Sequence, residues 1–209
     1  RSNLRRILLA SQLSHQQQSL RVRKMPPQKS RKQRQNDFFN VCNKCKDGCC
    51  RGARPPLTQK RKEIIRNYLA ANNIKIPDPF EDKEYSFPKE TLDGYCMFWD
   101  QTSRKCRVQP VKPETCVAGP VTFNINQQTG KIEWWLKKDT VCPLAGILCE
   151  RKEDLNNHVK TAKAEILRLV QGLDSETLRA ILTIEEPETY KIDEDCLDRK
   201  SAAAPKKQV

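Results

Sequence analysis

The chain has 209 residues, with 39 Lys and Arg against 26 Asp and Glu, so it is strongly basic (net charge +13); only 37% of its residues are hydrophobic. That length suits one core with tails, or at most two small domains. No run approaches the roughly 18–20 apolar residues needed to span a bilayer, and seven scattered glycines with no G-x-G-x-x-G or G-x4-G-K-[ST] argue against a nucleotide-dependent enzyme.

The charge is unevenly distributed. Residues 1–36 carry ten basic side chains and no acid, residues 198–209 carry four and one, and residues 37–197 carry 25 of each sign. The basic character therefore belongs to two tails and not to a nucleic-acid-binding face on the fold. Residues 1–36, dominated by Gln, Ser, Arg and Lys, read as a disordered basic tail. The part ahead of Met25 has a composition that suits upstream sequence, an arm or a transit peptide alike, and Ile7-Leu8-Leu9-Ala10 is too short for a secretory core. The chain is expected to be cytoplasmic, without a membrane association.

Order begins near Asp37-Phe38-Phe39. Pro55-Pro56-Leu57-Thr58 predicts a helix start with Thr58 as N-cap, followed by a helix over 60–71 with Ile64, Ile65, Tyr68 and Leu69 on one stripe, ended by Asn72-Asn73. Residues 77–94 read as a Pro/Asp/Glu/Lys connection anchored by Phe80, Tyr85 and Phe87. Alternation in Val121–Ile125 and Ile132–Leu136, around a turn ending at Gly130, predicts a β-hairpin. Within it, Trp134-Trp135 would place one indole in the core, or form an exposed partner-binding patch. Apolar residues at helical spacing predict a helix over 153–173, and Asp174-Ser175-Glu176 starts a second one to about Ile184. The expected fold is α+β: a small, irregular, metal-organised domain with one β-hairpin and a C-terminal helical hairpin. The division is a cysteine-cluster domain over 37–148, the helical hairpin over 149–186 packed on it, and a flexible tail over 187–209.

Chemistry is concentrated in cysteine. Cys42, Cys45, Cys49 and Cys50 fall within nine residues as C-x2-C-x3-C-C, and Cys96, Cys106 and Cys116 follow at regular intervals, with Cys142 ahead of Pro143. In a reducing compartment such density points to metal binding more than to disulfides, and an adjacent Cys49-Cys50 pair would make a strained disulfide. Both histidines (His15 and His158) lie outside these motifs, so the ligand set is all thiolate. Eight cysteines match two four-thiolate sites, which suit structural zinc or a [4Fe–4S] cluster. One C-x2-C followed by a C-C pair fits separate atoms of a larger cluster better than one tetrahedral zinc, which favours iron–sulfur. Lys44, Lys46, Arg51, Arg54, Lys105 and Arg107 flank these ligands, either offsetting thiolate charge or simply solvated. Phe38, Phe39, Tyr95, Phe98 and Trp99 would wall the site from water. Cys149 reads as a helix-start cysteine and Cys196 as a bystander, and nothing places His158 beside a nucleophilic thiol.

Three stretches, C-N-K-C-K-D-G-C-C-R-G at 42–52, Leu57-Thr58 with its helix, and Y-C-M-F-W-D-Q-T-S-R-K-C-R-V-Q-P-V-K-P-E-T-C at 95–116 followed by Val141-Cys142-Pro143, resemble the CxxCxxCC (YkgJ-like) family of zinc- or iron-chelating cysteine-cluster proteins. The first motif is one residue longer than the family name's spacing, and Lys112-Pro113 stands where the family has Arg-Pro, keeping charge but losing a bidentate donor. The resemblance implies metal or iron–sulfur binding, and some members are linked to protein lysine methylation, including that of flagellin. It leaves redox, cluster-carrying and protein-modification-accessory roles open, with a protein partner expected. The alternative is a structural-zinc binding module that takes a protein or RNA through its basic tail.

Overall fold

Thr58 starts the first helix for the reason its side chain suggests. Its hydroxyl oxygen accepts the Arg61 N–H at 3.1 Å and caps α1 (Gln59–Ala71), which buries Ile65 and Leu69 on one face. Asn72 closes the helix, its side-chain amide donating to the Tyr68 carbonyl at 2.8 Å. The computed structural model describes residues 40–42, 44–45, 48–186 and 188–197; the expectations for residues 1–36, and for Phe38, Phe39 and Lys46, lie outside them.

The segment beyond α1 is not a bare connection. Phe80 and Phe87 are buried, and their side chains fix a short antiparallel hairpin of β1 (Phe80–Asp82) and β2 (Ser86–Pro88). A second small hairpin, β3 (Trp99–Asp100) with β4 (Lys105–Cys106), turns through Arg104 at positive φ. A 3-10 turn at Gln109–Val111 leads to α2 (Glu114–Ala118). Leu57, Ile65, Leu69, Phe80, Phe87, Phe98 and Val108 form the first core, with Cys96 and Cys106 packed at its edge.

The second core is built on longer elements. β5 (Val121–Asn126) and β6 (Lys131–Lys137) form the expected hairpin, and alternation along β6 buries Ile132, Trp134 and Leu136. After α3 (Pro143–Cys149), the helix α4 (Lys152–Gly172) lays Ala162, Ile166 and Leu169 against this sheet. Cys142 packs at the edge of this second core. Trp134 is the core indole of the pair, its Nε1–H donating to Asp195 at 2.7 Å, while Trp135 is half-buried.

The molecule is a small mixed α+β domain, with three departures from expectation. Among the described residues there are three antiparallel sheets rather than one hairpin. The segment read as flexible tail from 187 contains β7 (Thr189–Cys196), which pairs with β6 through a bulge between Trp134 and Trp135. Its acids suggest a solvated tail, but they are matched by cations of neighbouring elements, Lys131 of β6 on Glu194 and Lys163 of α4 on Asp195 at 2.8 Å, while its own Lys191 pairs with Glu133 of β6 at 2.9 Å. Finally, α4 packs mainly on α2, and α5 (Ser175–Leu182) follows it without forming an extensively packed helical pair. The predicted boundary at 148/149 falls inside α3.

Candidate metal centre

Backbone hydrogen bonds bring the cysteine segments together without long secondary structure. The Cys45 N–H donates to the Cys42 carbonyl at 3.2 Å, so C-x2-C bends as one turn. The Cys96 N–H donates to the Cys50 carbonyl at 2.7 Å and the Gly52 N–H to the Gly94 carbonyl at 2.8 Å, stitching the first cysteine loop to the second. Gly52 and Gly94 have φ of 65° and 75°, a region that glycine enters without steric cost. Cys106 sits opposite Trp99 in the β3–β4 register, and the Trp99 N–H reaches back to the Cys96 carbonyl at 2.8 Å. Cys116 projects from α2, and Cys142 occupies the N-cap of α3, where Pro143 follows.

All ten cysteines are free thiols. Cys49 lies within electrostatic reach of six of the other predicted ligands, Cys42, Cys50, Cys96, Cys106, Cys116 and Cys142, and Cys45 of Cys42 and Cys142. Burial, then repulsion from Cys49, pushes the Cys42 thiol up to about 11. Burial likewise raises Cys96 to about 12 and lifts Cys106, Cys116 and Cys142. Cys49 is the exception: the Cys50 thiol donates to its sulfur and lowers it, while Cys50 is driven up as the donor. Desolvated, mutually repelling thiols are costly to ionise alone, and a bound cation is what would stabilise them as thiolates. Among the described residues, no three Cys, His, Asp or Glu side chains are already arranged to hold a metal ion. The sulfurs are neighbours rather than a finished coordination sphere. Their chemistry fits a soft metal, and binding would have to draw them closer.

Around this set the charge is positive. Lys112 lowers Cys42, Cys49, Cys106 and Cys116 together, which makes it the cation most widely coupled to the thiols. Sequence reasoning treated Lys112 only as a departure from Arg-Pro; its place four residues before Cys116, across a proline, was the available signal. Arg104 was missed as well: its guanidinium donates to the Cys45 carbonyl at 2.8 Å. Of the predicted flanking cations, Arg51 lies over the Tyr95 ring at 5.6 Å, and Arg54 stacks on Phe87 and pairs with Glu90. Tyr95 and Trp99 stack at 6.5 Å and Phe98 is buried, so this side of the cysteine set is walled by aromatics.

The wall behind Cys116 is polar and buried. Glu114, 2% exposed, accepts from the Thr58 hydroxyl at 2.8 Å and lies 3.5 Å from Arg61 Nε. Arg61 also pairs with Glu165 of α4 and donates to the Lys112 carbonyl at 3.2 Å, so one guanidinium ties α1, α2, α4 and the Lys112 segment together. His158 does not face a thiol. Its Nε2–H donates to the Ala118 and Gly119 carbonyls at 3.0 and 3.1 Å, and burial keeps the ring below its usual pKa. Cys149 closes α3 rather than starting a helix and is exposed, with its sulfur 3.1 Å from the Tyr190 hydroxyl; Cys196 ends β7, also exposed.

A model of the CxxCxxCC family, described as "Putative zinc- or iron-chelating domain", matches residues 41–143, the stretch that contains all eight thiols. No curated protein and no solved structure matches the chain.

Proposed function

Residues 41–143 belong to the CxxCxxCC family, and from that premise we propose that the chain is an iron–sulfur protein whose ligands are Cys42, Cys45, Cys49, Cys50, Cys96, Cys106, Cys116 and Cys142. The observation that carries this reading is the all-thiol set itself: eight free sulfurs from separate chain segments, six of them electrostatically coupled to Cys49, with no histidine or carboxylate among them. Thiolate-only donation is the chemistry of [4Fe–4S] clusters. The Cys49–Cys50 sulfur contact supports adjacent residues serving one compact polynuclear assembly. Bound there, a cluster would supply one-electron transfer or be a cargo for hand-over to a protein partner. Lys112 and Arg104 would offset its negative charge, and Tyr95, Phe98 and Trp99 would keep water from its inner side.

Four thiolates also serve structural zinc. In that reading the domain is a non-catalytic binding module whose basic tail takes a protein or RNA. A cytoplasmic setting goes with either, since free thiols persist where glutathione and thioredoxin keep them reduced. Among the described residues no helix is long and apolar enough to cross a membrane. Anaerobic purification with Fe, Zn and sulfide analysis and a visible spectrum separates the two. Iron with equimolar acid-labile sulfide and a broad visible absorption is the expected result. Colourless protein with stoichiometric zinc overturns it.

A further inference from the structure

The Cys42–Cys45 turn is held differently from the other cysteine segments. Cys96 and Cys106 belong to a well-bonded piece: the Trp99 N–H reaches the Cys96 carbonyl at 2.8 Å, the Arg107 N–H reaches the Phe98 carbonyl at 2.7 Å, and Phe98 and Val108 are buried beside them. From Gly48 onward the first loop is also stitched down, through the Cys50 carbonyl and the Gly52 N–H. The stretch that carries Cys42 and Cys45 lacks such stitching. The Cys45 N–H bonds back to the Cys42 carbonyl, within the turn itself. Among the described residues a single hydrogen bond joins 40–45 to the rest of the domain. It comes from Arg104, whose Nη2 donates to the Cys45 carbonyl at 2.8 Å across 59 residues of chain.

Arg104 is an unexpected residue for its place. It sits in the β3–β4 turn at φ 54°, a left-handed conformation in which glycine or asparagine would be less strained. The turn does not need the side chain, since the Asp100 carboxylate accepts the Thr102 N–H at 3.0 Å and organises it. The strained position therefore holds an exposed side chain whose one hydrogen bond, among the described residues, lies on the far cysteine turn. The guanidinium grips backbone there, so it fixes the turn without occupying either sulfur.

We infer that Arg104 is a positioning residue of the candidate metal centre: it clamps the Cys42–Cys45 turn onto the β3–β4 hairpin, and so sets access to these thiols and the rate at which a metal held there is lost. The second half of the inference rests on the metal-binding reading above; the clamp itself is a property of the metal-free chain. With the clamp shut, the turn is placed in advance beside the hairpin that carries Cys106. With it open, no other hydrogen bond of the described residues restrains 40–45. A metal–thiolate bond made there then opens by ligand substitution, a competing donor bonding to the metal as the sulfur leaves, with no change in oxidation state.

The test begins with full-length, reduced, metal-free protein labelled briefly with N-ethylmaleimide and mapped by mass spectrometry. Arg104→Gly keeps the turn and relieves its backbone, so folding stability should hold or rise. Labelling of Cys45 should nonetheless speed by about threefold or more, with Cys96, Cys106 and Cys116 unchanged as internal controls. Withdrawing a cation can only make a nearby thiol a poorer nucleophile, so acceleration reads access and not activation. Arg104→Lys, which keeps a cationic donor, should restore most of the protection. In metal-loaded protein the glycine variant should lose metal to a chelator about tenfold faster, in line with other outer-shell changes. Unchanged Cys45 labelling, an increase spread over all the thiols, a lysine variant as open as the glycine one, or unchanged metal release each overturns the proposal. Should Arg104→Gly fold poorly, Arg104→Asn, which also tolerates positive φ, takes its place. A chain that binds no metal defeats the proposed function instead, and the labelling arm still decides whether the clamp exists.

Discussion

The two cores of this domain are built by different means. Around the second, a seven-residue strand and a 21-residue helix bring Ile132, Trp134, Leu136, Ile166 and Leu169 together, all at 0–1% exposure. Burying each such side chain is worth about 1.5–3 kcal/mol, and the long elements let one sequence period place many of them at once. The cysteine region has no such period. Its strands β3 and β4 are two residues each, its contacts to the first loop are isolated bridges, and its turns pass through positive φ at Gly52, Gly94 and Arg104. Apolar burial fixes its outer face through Phe98 and Val108, but the loops carrying the sulfurs are held by a few backbone bonds and by whatever the sulfurs bind. The lesson is a division of labour: packing holds one region, and in the other the proposed ligation would have to supply what packing does not.

Removing the metal should break that division most sharply. Thiolate–metal bonds in small cysteine-rich sites contribute on the order of 10 kcal/mol to folding. Chelation is therefore expected to raise amide exchange across 48–56 and 94–116 by about two orders of magnitude or more, while α4 and β5–β6 keep their protection. Equal loss in both regions would show that the second core also depends on ligation.

Trp134→Ala attacks the other side. The indole is fully buried and its N–H is bonded to Asp195, so truncation leaves a large cavity and removes that hydrogen bond, with Asp195 keeping its pairing to Lys163, at a cost of about 3–5 kcal/mol. Chemical denaturation should report that loss, and metal content per folded molecule should be unchanged. A variant that retains its stability but loses metal would reverse the assignment of roles.

Arg61 joins the two regions, and its replacement is the next smaller effect. Arg61→Met strands the buried Glu114 and leaves Glu165 with Arg168 alone, which is expected to destabilise by about 3 kcal/mol. Adding Glu114→Gln should recover part of it, because the neutral amide can keep the bond from Thr58 without carrying a buried charge. Failure of the second change to recover anything would mean that Glu165 carries the whole coupling.

What could be read in the sequence follows the same division. Helical spacing in 153–173, alternation in Ile132–Leu136 and the Thr58 cap were each legible because the periodicity or the cap is local. The cysteine spacing pointed to thiolate chemistry for the same reason. The position of Cys142 was not legible, because it is set only once α3 has packed on the second core. Nor was Lys112 visible as the shared cation, since its reach to four thiols depends on the fold of α2. β7 was hidden by its composition. Asp193-Glu194-Asp195 reads as a solvated run until Lys131 of β6 and Lys163 of α4 are seen facing it from other elements.

That charge matching gives the mildest prediction. Hydrogen bonds from Lys131 and Lys191 hold the Glu194 carboxyl down at about 2, and the Lys163 ammonium lowers Asp193 in the same way. A carboxylate whose folded pKa is depressed stabilises β7 fully above its unfolded value of about 4.5, and that contribution fades as the pH falls towards 2. Lys131 and Lys191 are raised by the same partners, so their contribution persists from low pH and is lost only as the pH rises through their elevated values, above 10.5. The docking of β7 on β6 should therefore be level between about pH 5 and 10 and weaken between 4.5 and 2. These groups are exposed to solvent, so salt should blunt the effect. Amide exchange at Lys191–Asp195, read against α4 in the same sample, measures it. The acid arm belongs to β7 if α4 stays protected where β7 opens. If α4 opens at the same pH, the strand is an integral part of the second core and not an edge fastened to it by charge.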